Sequence, residues 1–412
     1  MRAHYQIIII GAGTGGIMAA SHLLKKKITE DIAIIDPAHL HYYQPAWTLV
    51  GAGAYDFKKT EKPMRELIPA GADWIKQAVV NVHPDASSVT LADGTNLSYD
   101  YLIVSPGLVY DLSLIEGLQE AIDKGVVCSN YLNPNYTWNC IQEFKGGTAL
   151  FTQPNTPIKC GGAPQKIMYL AADYFRRTGL ADKSRVIFAT PGSVIFGVKV
   201  IAESLMQVIH KYGVDFRPFN DPVKIDADRK IAYFKNIRPK EDEASDSAAA
   251  EELIEVEFDL LHLAPPQVAP TFIKASGLAN ADGWMEVDIN SMQHAKYPNI
   301  FGIGDAAALP TAKTGAAIRK QVPVMLDNIQ KLMAGEVVDN YTYEGYSSCP
   351  LVTGYGKMVL AEFNYKNEFI PDPKLKQLLV FNSAKEHWRL WLLKKYLLPN
   401  LYWNKMMKGI EF

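Results

Sequence analysis

An α/β chain of two doubly wound units followed by a C-terminal extension is what this sequence predicts, and three stretches predict it. Ile7 to Ile10 is an aliphatic run that breaks into the glycines of GAGTGG (11–16). A second strand-and-helix unit starts near Thr148 and repeats the pattern without the glycines. The last part of the chain leaves the pattern for Trp, Tyr and Leu mixed with Lys and Arg. The two units read as Rossmann-like dinucleotide-binding domains, the second one degenerate, and the tail as a membrane-associating extension. The expected boundaries are 1–110 for the first unit, 111–290 for the second and 291–340 for a return to the first. Residues 341–412 form a C-terminal region that carries a cysteine and the amphipathic tail.

Four consecutive isoleucines suit a parallel strand buried on both faces. In the motif that follows, Gly11 allows the tight turn, Gly13 lets a pyrophosphate approach the backbone, and Gly16 lets the helix pack closely on the strand. The phosphates then meet a helix N-terminus, where free N–H groups and the dipole favour an anion. Thr14 and Gly15 lie inside this loop and are read with it as cofactor contacts. The aliphatic run Ile32 to Ile35 ends in Asp36, twenty residues after Gly16. A carboxylate there accepts from ribose hydroxyls and repels a 2′-phosphate.

The chain has 412 residues, 48% of them hydrophobic and 21% charged, with a net charge of -2. This is ordinary globular composition and gives no reason to expect nucleic acid as a partner. No apolar run reaches the roughly 20 residues of a spanning helix. The first strand begins almost at the N-terminus, so no cleavable signal is expected, and the cytoplasmic face of a bacterial inner membrane is the expected location. Four cysteines in so long a chain do not make a disulfide scaffold, and no metal site is expected.

The segment from His39 to Tyr55 is aromatic and turn-rich; it suits either the lining of a flavin or substrate channel, with Gln44 as a contact, or local packing. A β-rich portion follows, with Val80 in its first strand as a further cofactor contact and Asp93-Gly94 as a type I′ hairpin turn. Tyr101 to Val104 then closes on Ser105-Pro106-Gly107. In the second unit, Pro164 to Thr178 reads as a helix and Arg185 to Thr190 as a strand. At the place of a second glycine loop stands PGSVIFG (191–197), whose bulky Val194, Ile195 and Phe196 block a pyrophosphate. The electron donor is therefore not expected to be a nicotinamide. Arg238 to Glu252 reads as a charged surface loop between strands.

Asn299 to Asp305 (NIFGIGD) is a strand ending in Gly304-Asp305 before a helix. An aspartate there accepts from ribityl hydroxyls, and a following helix N-terminus favours the anionic reduced flavin. Together with the glycine loop almost three hundred residues earlier, this motif makes FAD the expected cofactor. Lys313, eight residues on, is read as a further contact. In the tail, Trp391, Lys394, Tyr402 and Trp403 belong to one or two helices, broken by Pro399, expected in a membrane interface, where a lipid-soluble quinone would serve as electron acceptor. The same pattern also serves a helix packed on the body or in a dimer contact.

Two cysteines stand out. Cys160 opens a helix between Lys159 and Lys166, a setting that lowers a thiol pKa. Cys349 lies in a turn-rich context 189 residues away, and the sequence does not bring the two together. Cys128 and Cys140 are read as structural. Four long motifs, NTPIKCGGAPQKIMYL, IFGIGDAAALPTAKT, EGYSSCPLVTGYGKMVLAEF and LYWNKMM, resemble the sulfide:quinone oxidoreductases, most closely the type II branch with the mitochondrial enzyme. The resemblance spans nearly the whole chain. It implies that Cys160 and Cys349 form a redox-active pair that sulfide attacks, leaving one cysteine as a persulfide. The other thiolate attacks flavin C4a, two electrons pass to FAD and on to quinone, and the sulfane sulfur leaves to sulfite, a thiol or polysulfide. It also places Lys166, Lys394 and Glu120 near the sulfur or quinone sites. A homo-oligomer is compatible with it. The rival within enzymes is a type II NADH:quinone dehydrogenase, which needs an intact nicotinamide loop.

Overall fold

The computed structural model describes residues 2–239, 253–338 and 342–411. The strand His4–Ile10 sits at the centre of a seven-stranded sheet, parallel to Ile32–Ile35 on one side and to Asn96–Val104 on the other. Ile7, Ile8 and Ile9 are fully buried, as an aliphatic run covered on both faces requires. Ala72–Ile75 extends the sheet at one edge, and the antiparallel strands Val79–His83 and Ser88–Leu91 extend it at the other. The second half of Asn96–Val104 also pairs with Ile300–Gly302, so the chain re-enters this sheet after almost two hundred residues.

The hairpin at Asp93-Gly94 is not type I′. Only Gly94 has positive φ, and the Asp93 carboxylate accepts from the Thr95 N–H instead. The loop is the three-residue kind, with one left-handed glycine after an ordinary turn.

A second sheet of five parallel strands runs in the order Val127–Cys128, Leu260–Leu263, Gly147–Thr152, Ser184–Ala189 and Asp215–Arg217. Its neighbour is a three-stranded antiparallel sheet of Asn220–Asp226, Ile231–Asn236 and Ile254–Glu257. The loop 191–197 carries no glycine cradle: Ile195 is buried in the core, and Phe196 meets Phe363 edge-on at 5.8 Å. Val194 faces solvent, so it is Ile195 and Phe196 that fill the place of a nucleotide loop. Of the expected charged loop, residues 240–252 lie outside the described residues.

The C-terminal region begins with the hairpin Ser347–Gly354 and Lys357–Phe363, which packs on the helix Ala163–Arg177. The tail then runs through Trp388–Leu392, a π turn at Leu393–Leu397, and the helix Leu398–Asn404. Pro399 does not split the tail into two helices. Without its own N–H it cannot close a regular turn, and the backbone widens into the π turn ahead of it. Tyr402, Trp403, Met406 and Met407 are buried in the core of the first unit.

Candidate functional site

The dinucleotide end is built as the glycine spacing requires. Gly11 has φ +96°, and a side chain there would overlap the Ser105 carbonyl. A side chain at Gly16 would overlap the Gly11 carbonyl, whereas nothing crowds Gly13, where a ligand approaches the backbone. The helix Thr14–Lys25 has no side-chain cap and no acidic residue in its first turn, so its free N–H groups face a site suited to phosphate. Asp36 holds this loop by accepting from the Ala12 N–H at 2.7 Å. Gln44 is partly exposed and Val80 half-exposed.

At the other end, Gly304–Ala306 is a short 3-10 turn, and the long helix Gly315–Met333 begins only ten residues after Asp305. The expected helix does not follow Asp305 directly. Lys313 bridges the gap by donating to the carbonyls of Asp305 at 2.6 Å and Ala307 at 3.2 Å. Burial, only partly offset by Asp305, pulls Lys313 down to about 8, and it does the same to Lys159. Asp305 keeps some accessible surface although protein surrounds it, as a group lining an internal cleft does. Its carboxyl is pushed up, first by burial. Glycine loop, the carboxylate of Asp36 and the cleft-lining Gly-Asp turn together fit FAD.

The sulfur end adjoins this turn. Cys160 N–H donates to the Lys313 carbonyl at 2.8 Å, tying the cysteine loop to the Gly-Asp segment. Cys160 itself has φ +54°, a left-handed conformation that is uncommon for a non-glycine residue. Its carbonyl accepts from the Ala163 N–H at 2.7 Å and the Tyr131 hydroxyl at 3.3 Å. The Cys160 and Cys349 sulfurs lie 3.9 Å apart, and Lys166 Nζ lies 2.9 Å from Cys160 Sγ. Gly162 makes this approach possible, because a side chain there would collide with Cys349 Sγ and Leu351.

The two thiols titrate apart. The Cys349 contact and then the Lys166 ammonium, working against burial, hold Cys160 well below the usual thiol range. Cys349 is pushed up, first by its contact with Cys160 and then by burial. Burial alone would pull Lys166 down, but the two sulfurs outweigh it and keep it raised. Lys394, also buried, donates to the Pro45 carbonyl at 2.7 Å and is drawn down to about 7 by burial and by Lys166.

The structure therefore gathers Cys160, Cys349, Lys166, Lys394, Asp305 and Lys313 around one region. It does not bring Glu120 there: its carboxylate is 61% exposed and pairs with Lys124 at 2.6 Å. Trp391, Tyr402 and Trp403 face inward, not toward a membrane. Trp388, Leu392, Tyr396 and Leu397 are the exposed large hydrophobic residues of that tail. Cys128 and Cys140 have each other as partners; the contact lowers Cys140 and raises Cys128. Sequence reasoning did not single out His41, whose buried ring donates to the Ala12 carbonyl at the glycine loop, or Tyr131, three residues after Cys128.

Fold and site define an α/β flavoprotein that carries a close pair of cysteines, and residues 5–139 match the pyridine nucleotide-disulphide oxidoreductase family model. The chain is 39% identical to the mitochondrial sulfide:quinone oxidoreductase of Mus musculus over 98% of its length and 87% of the relative's. It is 40% identical to that of Dictyostelium discoideum, over 99% and 87%. The chain belongs to the sulfide:quinone oxidoreductase family. Its fold superposes on the sulfide:quinone oxidoreductase of Aquifex aeolicus with a TM-score of 0.78, at 18% identity, covering 99% of this chain and 92% of that one.

Proposed function

We propose that this chain oxidises sulfide to sulfane sulfur at Cys160 and Cys349 and passes the electrons through FAD to a quinone. The observation that carries the reading is the sulfur pair at 3.9 Å, with Lys166 at 2.9 Å, on a loop linked through Lys313 to the Gly-Asp turn. A disulfide needs sulfurs about 2.05 Å apart, so the oxidised pair closes by a movement of about 2 Å. Hydrosulfide then attacks one sulfur of that bond, which becomes a persulfide while the other leaves as thiolate. The better leaving group is the thiol of lower pKa. Cys160, held low beside Lys166, is accordingly the leaving thiolate, and Cys349 takes the new sulfur. Once the outer sulfur has left Cys349, FAD, when bound, would supply the two-electron sink for re-forming the Cys160–Cys349 bond. The sulfane sulfur leaves Cys349 to a nucleophile, such as sulfite, a thiol or a growing polysulfide.

The filled loop at 191–197 supports a donor other than a nicotinamide. Anaerobic titration of the purified holoprotein tests this, with flavin absorbance as the readout. Sulfide is expected to bleach the flavin and added quinone to restore it, with NADH inert. Bleaching by NADH alone would put a nicotinamide dehydrogenase first.

Quinone is lipid-soluble, so the exposed face of the tail is the proposed docking surface on a membrane. Trp388 and Tyr396, 54% and 62% exposed, share the tail with exposed Leu392 and Leu397, and Arg389 and Lys395 lie over the Trp388 and Tyr396 rings. Aromatic and leucine side chains flanked by cations suit the interface of an anionic bilayer. Among the described residues no helix is long and apolar enough to cross one. The relatives from Mus musculus and Dictyostelium discoideum are named mitochondrial; the cytoplasmic face of a bacterial inner membrane is our proposal for this chain. Trp388→Glu/Leu397→Glu is expected to lower co-sedimentation with anionic vesicles at least ~10-fold. Unchanged sedimentation would remove the tail from the docking surface. Lys394 and Trp391, directly behind this face, are proposed to contact the quinone.

A further inference from the structure

The C-terminal tail reaches the glycine loop through one hydroxyl. Tyr402 is buried, its ring lies 4.6 Å from that of Tyr43, and its oxygen sits between two polar atoms of the first unit. One is Thr14 Oγ1 at 2.8 Å; the other is His41 Nε2 at 2.5 Å. His41 Nδ1 lies 3.2 Å from the Ala12 carbonyl. A carbonyl can only accept, so Nδ1 carries the proton. Burial keeps this ring neutral, leaving Nε2 as an acceptor. The direction of every bond follows: Thr14 O–H donates to Tyr402, Tyr402 O–H to His41, and His41 N–H to Ala12. With Asp36 on the Ala12 N–H, both backbone polar groups between the first two glycines are fixed from outside the loop. So is the side chain that follows Gly13.

We propose that Tyr402 is a positioning residue for FAD, through which the C-terminal tail holds the phosphate-binding loop in its binding conformation. This rests on FAD binding at the glycine loop. A loop held before the ligand arrives does not spend binding energy on being ordered. Loss of the tail's hydroxyl unties Thr14 and leaves the buried His41 acceptor unpaired.

The test is FAD affinity, read by flavin fluorescence on deflavinated full-length chain, together with melting temperatures with and without FAD. Tyr402→Phe keeps the ring packing and is expected to weaken FAD binding roughly tenfold, and to narrow the melting-temperature gap between holoprotein and apoprotein. Thr14→Val cuts the same chain from the loop side and serves if Tyr402→Phe does not fold. The double variant is expected to lose little more than the weaker-binding single variant, because both remove one connection. Ser21→Ala is the control. It removes another bond between tail and body, Ser21 Oγ to the Met407 carbonyl at 2.9 Å, without touching the loop. It is expected to lower both melting temperatures and leave FAD affinity unchanged. FAD affinity within twofold of wild type in both Tyr402→Phe and Thr14→Val would overturn the proposal. Wild type that binds no FAD would instead overturn the cofactor reading beneath it.

Discussion

Cys160→Ser and Cys349→Ser are each expected to keep FAD and to lose sulfide-driven flavin reduction by at least ~10³-fold. The size follows from the chemistry: a hydroxyl neither forms the electrophilic sulfur–sulfur bond nor leaves from it, so the two-step route closes entirely. FAD retention is expected because neither sulfur belongs to the glycine loop, to Asp36 or to the Gly-Asp turn. Stopped-flow mixing of the anaerobic holoproteins with sulfide measures the loss. The variants should also differ from one another. In Cys349→Ser the first cause of the low Cys160 pKa is gone, but Lys166 remains at 2.9 Å and the thiol is only partly buried, so iodoacetamide alkylates it the faster of the two at neutral pH. In Cys160→Ser the remaining Cys349 is buried, 2% exposed, so alkylation is slow. Reversed alkylation rates would mean that the leaving and attacked sulfurs are assigned the wrong way round. Sulfide bleaching that survives either substitution would sink the cysteine mechanism.

What the sequence made legible was local. The glycine loop, its strand, Asp36 and the Gly-Asp turn are each decided by neighbours within a few residues, and all were found where the pattern placed them. The meeting of Cys160 and Cys349 was not legible from the residues alone. It depends on the helix Ala163–Arg177 packing against the hairpin that carries Cys349, a contact between segments far apart in the chain. Only the resemblance to a family implied it. The tail shows a different failure. Aromatic residues stand on both of its faces, so composition predicts an amphipathic segment without saying which face turns inward. Packing chose Trp391, Tyr402 and Trp403 for the core and left Trp388 and Tyr396 outside. Glu120 failed for the usual reason that a surface carboxylate finds a lysine one helical turn away.

Lys166→Met is expected to slow sulfide-driven flavin reduction at pH 7 by ~10- to 100-fold and to shift its acid limb upward by ~1–2 pH units. A hydrogen bond from a charged group to a buried partner contributes about 1.5–3 kcal/mol, and one pKa unit is about 1.4 kcal/mol. Methionine keeps the volume of the lysine stem, so the effect isolates the ammonium. The Cys349 contact still lowers Cys160, but the second cause of its depressed pKa is gone. The shift should appear equally in the pH dependence of Cys160 alkylation, which does not require turnover. Stability follows the same linkage. Cys160 has a folded pKa below its unfolded value, so its contribution is complete above the ordinary thiol pKa and fades as pH falls through the lowered one. Lys166 has a raised folded pKa, so its contribution is complete below the ordinary lysine pKa and fades as pH rises through the raised one. The wild-type pair is therefore most stabilising between the ordinary thiol and lysine pKa values, and Lys166→Met should flatten the pH dependence of the melting temperature on either side of that window. Because removing a buried cation also removes its desolvation, the variant need not melt lower than wild type. A rate loss with an unmoved alkylation profile would mean that Lys166 acts on the incoming sulfide and not on the Cys160 thiolate.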